Sequence, residues 1–97
     1  MPAAVRIGDA DVPHCSSMVR AVGSPIVRVN GRPISRQGDV NTPHLLPAGR
    51  FCVGHSAPIA IGSTTVRVNG LGAGRIGDAL AGCTFCGSGS FNVFIGG

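Results

Sequence analysis

Four side chains in this sequence are of the kinds that bind transition metals, and their spacing could bring them together: His14, His44, His55 and Cys83. Three of them stand at one repeated position. Each lies five residues beyond the Asp of an Arg-x-Gly-Asp string: Arg6–Asp9 precedes His14, Arg36–Asp39 precedes His44, and Arg75–Asp78 precedes Cys83. A repeated string sets equivalent residues at equivalent points of a fold, so under threefold symmetry these three would converge on one axis. Imidazole and thiolate are zinc ligands, and four protein ligands fill the shell of a structural site. Iron accepts the same donors. His55, the one histidine outside the repeat, is the natural fourth ligand. Any one of these residues alone reads as a satisfied polar side chain or a small buried thiol. The common position is what carries the metal reading, because the set it forms with His55 uses all three histidines and one cysteine of the chain at once.

Three cysteines are left over. Cys83-x-x-Cys86 resembles half of a zinc ribbon, but no second C-x-x-C completes it. Cys83 holds the repeated position and Cys86 does not, so Cys83 is the expected ligand. Cys15 and Cys52 read as small buried residues, with Cys52 the substitute if His55 lies too far away.

The elements that must position these ligands also repeat. "SPIVRVNG" at 24–31 and "STTVRVNG" at 63–70 are matched by a weaker "SFNVFIGG" at 90–97. Valines alternating with Arg predict short strands with one apolar and one polar face. Asn-Gly predicts a tight hairpin turn, since both residues tolerate positive φ. In each Gly-Asp, glycine supplies backbone freedom and the carboxylate can accept local backbone hydrogen bonds. The sequence opens with a Gly-Asp turn and closes with a valine string, which predicts that its N- and C-terminal segments pair to complete one copy. Ligand to ligand, the steps are 30 and 39 residues, so the middle copy carries an insertion of about nine residues, and His55 falls in it. No stretch has helical periodicity beyond one turn in "HCSSMVRAV". The expected fold is all-β: a small conical domain of short strands, residues 1–97, built from three pseudo-threefold repeats.

Composition narrows the function classes. With 16 Gly, 7 Pro, 4 Phe and neither Trp nor Tyr, the 97 residues supply few large side chains for a core. Domains this small often add a metal or a partner. Hydrophobic residues at 43% against charged residues at 12% are the reverse of a disordered chain. All eight basic residues are Arg and all four acids are Asp, and most of the Arg follow the repeat. Arg–Asp pairing in the turns accounts for them. A zinc-stabilised nucleic-acid-binding module is the alternative that the net charge of +4 allows. Against it stand the absence of Lys, the few aromatic side chains for stacking, and Arg spread through repeats, so no nucleic-acid partner is expected. A small zinc hydrolase is the second alternative. It would need an open metal position and a general base. Four ligands would saturate the metal and the chain has no Glu, so no enzymatic activity is expected. No secretory signal and no apolar run near the ~20 residues of a spanning helix is visible. Synthesis in a reducing cytoplasm follows, where cysteines favour metal ligation or free thiols.

The motifs resemble those of PAAR-repeat proteins. "PAAVR" at 2–6 carries Val5 before Arg6, "PISR" stands at 33–36, and "GAGR" at 72–75 has lost the proline. The resemblance covers essentially the whole chain. It implies a cone-shaped β domain on the end of a trimeric VgrG-like spike, as in type VI secretion systems and contractile phage tails. It also implies a metal bound by three His and one Cys near the apex, carried over by position to His14, His44, His55 and Cys83. One copy per spike trimer, assembly at the spike tip, delivery out of the cell, transient contact with the target membrane, and possible effector cargo follow from the same resemblance. Some members carry toxin extensions; none is expected within this chain.

Overall fold

The computed structural model describes residues 1–13, 17–48 and 51–97, with 44–48 and 51–54 described by their backbone. The strands are β1 (Arg28–Val29), β2 (Arg32–Pro33), β3 (His44–Ala48), β4 (Phe51–His55), β5 (Arg67–Val68) and β6 (Leu71–Gly72). They form three antiparallel pairs, β1–β2, β3–β4 and β5–β6. Among the described residues there is no helix. The molecule is elongated, 39 × 23 × 22 Å.

The two valine strings turn where the sequence predicts. Asn30 and Asn69 both have φ of 54°, and Gly31 and Gly70 follow at 79° and 81°. Two consecutive left-handed residues make the hairpin turn that matches strand twist. The registers are then the same: Arg28 faces Pro33 and Val29 faces Arg32, while Arg67 faces Gly72 and Val68 faces Leu71. Val29 and Val68 are buried and Arg28 and Arg67 exposed, as the alternation requires.

The strands are shorter than the strings that contain them, and the serines explain why. Ser24 Oγ accepts the N–H groups of Ile26 and Val27; Ser63 Oγ accepts those of Thr65 and Val66; Ser90 Oγ accepts those of Asn92 and Val93. Each string therefore begins as a serine-capped turn, which withdraws two N–H groups from any ladder.

The two ends of the chain pair with each other. Ala3 and Phe94 form an antiparallel bridge. Ala4 N–H donates to Val93 O at 2.9 Å, and Ile95 N–H to Pro2 O at 2.8 Å. At the centre, three buried backbones bond in a closed cycle. Val5 N–H donates to Gly74 O, Gly74 N–H to Ser35 O, and Ser35 N–H to Val5 O, at 3.1, 2.8 and 2.9 Å. A Cβ on Gly74 would stand 2.7 Å from Ser35 O, so this point of the cycle admits only glycine.

Most of the buried apolar side chains fall into two clusters. One gathers Ala4, Val29, Ile34, Val68, Ala73 and Ile95, with Val66 and Val93 against it. The other gathers Val5, Ala57, Ile59, Leu80 and Cys86, with Cys83 against it.

Candidate metal centre

The three Arg-x-Gly-Asp strings fold alike, and they launch the segments that carry the candidate ligands. In each, the Asp carboxylate accepts the backbone N–H of the Arg three residues back, at 2.8 Å for Arg6, Arg36 and Arg75 alike. The same Arg closes a side-chain pair on that carboxylate. Gly8, Gly38 and Gly77 supply the positive φ, 90°, 91° and 90°. Burial alone would push the Asp9 carboxyl up. Hydrogen bonds from the Arg6 side chain and N–H, with the charges of Arg6 and Arg32, outweigh it and hold the carboxyl below its ordinary value. The Arg6 and Arg36 guanidiniums are correspondingly raised by their Asp partners.

The insertion in the middle copy carries a regular antiparallel strand pair. β3 and β4 pair in unbroken register from His44↔His55 through Leu45↔Gly54, Leu46↔Val53 and Pro47↔Cys52 to Ala48↔Phe51. His44 and His55 are thus the first and last residues of that strand pair and stand directly opposite. The inserted chain leaves at one candidate ligand and returns at the other.

His55 Nε2 lies 3.4 Å from Cys83 Sγ. Zinc bonds of about 2.3 Å to sulfur and 2.0–2.1 Å to nitrogen, set tetrahedrally, would hold those two atoms roughly 3.5 Å apart. The donor types and their separation therefore fit a shared zinc ion. Cys83 is positioned by a tight turn: its N–H donates to Leu80 O at 3.0 Å, and Leu80 N–H to Thr84 O at 2.8 Å. Of the four expected ligands, the structure brings His55 and Cys83 into contact and His44 to the backbone position facing His55. His14 lies outside the described residues, as do Cys15 and the side chain of Cys52. Cys86 is buried. Burial pushes its thiol up to about 12, against the opposing charge of Arg20 and with Asp11 and Asp78 adding to the rise.

One buried polar cluster was not anticipated from the sequence. Arg20 is 0% exposed and Asp11 2%. Arg20 Nη2 lies 3.0 Å from Asp11 Oδ2, and Nε donates to the same oxygen at 3.1 Å. Arg20 Nη1 and Nη2 also donate to Asp39 O and Ala57 O, at 3.0 and 3.2 Å. Asn41 Nδ2 donates to Asp11 Oδ2 at 2.9 Å, and Asn41 Oδ1 accepts the Ala57 N–H at 2.8 Å. Asp11, Asn41 and Leu80 each stand three residues before a candidate ligand. Arg20, Ile59 and Cys86 also correspond, for their N–H groups donate to Asp9 O, Asp39 O and Asp78 O. The signal available in sequence was that spacing of three, which marks Asp11 and Asn41 as neighbours of the ligand level. No protein-family model matches the chain, and no curated protein matches it significantly.

Proposed function

We propose that this chain is a structural tip protein, of the PAAR-repeat kind, that caps the blunt end of a trimeric VgrG-like spike in a contractile injection machine, one copy per trimer, without catalysis. The observation that carries the reading is the closed cycle of Val5, Gly74 and Ser35. Three residues from three copies of one motif bond head to tail, which is what a single chain needs in order to imitate a threefold axis. Around it, Ile7, Gln37 and Ile76 donate in turn to Pro33, Gly72 and Ala3. The Ala3↔Phe94 bridge takes the place that Arg28↔Pro33 and Arg67↔Gly72 hold in the other copies. These pairings support the reading in which the terminal segments complete the third copy of a single domain spanning residues 1–97.

A trimeric β-structure ends in unpaired strand edges, which are a liability unless covered. A monomer with internal threefold pseudo-symmetry can cover them and match all three subunits. The strings supply an apolar rim for that contact: Ile26 is 75% exposed and Phe91 83%. At the other end of the cone, His14, His44, His55 and Cys83 hold one structural metal, zinc or iron, which ties the tip where little apolar core exists. Synthesis in the cytoplasm, assembly at the spike tip, delivery with the spike, a passing contact with the target membrane, and non-covalent effector cargo belong to the same proposal. The arginines favour it over nucleic-acid binding, since Arg6, Arg20, Arg32, Arg36 and Arg75 are each paired with an Asp.

Co-purification with the trimeric spike protein encoded by the same genome tests the proposal. The expected complex holds one chain per three spike subunits. No complex, or three chains per trimer, would overturn it.

A further inference from the structure

The metal reading leaves one buried group unexplained. Asp11 is 2% exposed, and its two oxygens are treated very differently. Oδ2 receives Arg20 and Asn41. Oδ1 is buried and accepts no N–H or O–H among the described residues; the Cys86 thiol stands beside the carboxylate as a weak donor. An acceptor left empty inside a protein costs free energy on the order of 1–3 kcal/mol, more when charged. A thiol is a weak donor and meets little of that cost, which leaves Oδ1 open to a stronger one.

Its place says what that is. Asp11 forms an antiparallel bridge with Cys86, and Val12 N–H donates to Phe85 O at 2.9 Å. This sets Asp11 beside the turn from Leu80 to Thr84 that carries Cys83. It also stands three residues before one expected ligand, at the level Asn41 occupies before another. A histidine that gives one ring nitrogen to a metal keeps an N–H on the other, and that N–H commonly goes to a carboxylate.

We propose that Asp11 is the outer carboxylate of the metal centre. Oδ1 accepts the N–H of a metal-ligating imidazole, while Arg20 and Asn41 fix the carboxylate through Oδ2. The inference rests on the metal centre proposed above. Asp11 is a positioning residue: it sets which imidazole nitrogen is free to bind metal and in which direction the ring faces.

The chain supplies its own control. In the second copy, the positions of Asp11 and Arg20 are held by Asn41 and Ile59. The double variant D11N/R20I gives the first copy that pair and leaves no buried charge unpaired. Zinc affinity is read by competition with a chelator for wild type, D11N, D11N/R20I and C86A. The expected result is a loss of about 10–100-fold in both Asp11 variants and wild-type affinity in C86A. In zinc-loaded wild type labelled with ¹⁵N-histidine, one ligand imidazole N–H should be protected from solvent exchange, and that protection should vanish in D11N/R20I. Wild-type affinity in D11N/R20I would overturn the proposal, as would the absence of any protected imidazole N–H in wild type. A loss in C86A equal to that in D11N would also overturn it, by assigning Oδ1 to the Cys86 thiol. If wild type binds no zinc, the metal centre itself falls, an outcome distinct from zinc binding that ignores Asp11.

Discussion

Asp9 shows how much one residue carries here. Its carboxylate is almost fully buried, closes the Gly-Asp turn through the Arg6 N–H, and pairs with both Arg6 and Arg32. The sequence made this legible, because Arg, Gly and Asp recur at fixed spacing and the chemistry is local. Replacing Asp9 with Asn leaves the Arg6 charge in a buried place without its partner. Breaking such a pair costs about 3–5 kcal/mol, which for a chain of this length lowers the midpoint by more than about 10 °C. The effect has a sign in pH. The Asp9 carboxyl is lowered in the folded state, so its stabilisation is complete above the unfolded value, about 4. It disappears as pH falls through the folded value. Thermal melts should therefore separate wild type from D9N at neutral pH and bring them together in acid. The Arg20–Asp11 pair was not legible, for nothing local joins residues nine apart. Only the folded chain sets Arg20 against Asp39 O and Ala57 O as well. R20I alone should cost about 3–5 kcal/mol by stranding Asp11, whereas D11N/R20I should recover most of that. Urea unfolding of the two variants checks it.

At the scale of elements, the hairpin turns read directly from Asn-Gly, and the insertion was countable from unequal repeat spacing. Its shape was not. Pro47 lies inside β3 and lacks an N–H, which argues against a strand in any sequence reading. What the fold adds is the register that ends on His44↔His55. Side chains on a strand alternate faces, so a slip of one residue turns every later residue to the other side. Deleting Leu46 alone should therefore remove His44 or His55 from the centre and abolish stoichiometric zinc, as read by atomic emission. Deleting Leu46 together with its partner Val53 shortens the hairpin by one pair and keeps the register. That variant should still hold about one zinc per chain. Equal zinc in both would mean that the hairpin does not position the ligands.

For the molecule as a whole, the critical joint is where its two ends meet. The chain enters the fold at Pro2–Ala4 and leaves it at Val93–Ile95, and these segments share the bonds that a hairpin makes elsewhere. The closure was legible because the sequence starts and stops at different points of one repeated unit. The cycle of Val5, Gly74 and Ser35 was not, because Val, Ser and Gly share no side-chain chemistry and the cycle is made by backbone alone. If closure holds the molecule together, contact between the ends matters and covalent continuity elsewhere does not. Deleting residues 91–97 removes Ile95 from its cluster and frees the N–H of Ala4, and that chain should lose cooperative unfolding. A circular permutant tests the other half. It joins Gly97 to Met1 through a short glycine linker and opens the exposed turn between Asn30 and Gly31, a kind of site where new ends are tolerated. It keeps every bond between the terminal segments and should unfold cooperatively with zinc still bound. A folded deletion variant would show that the third copy closes without its last string, and the threefold reading would lose its main support.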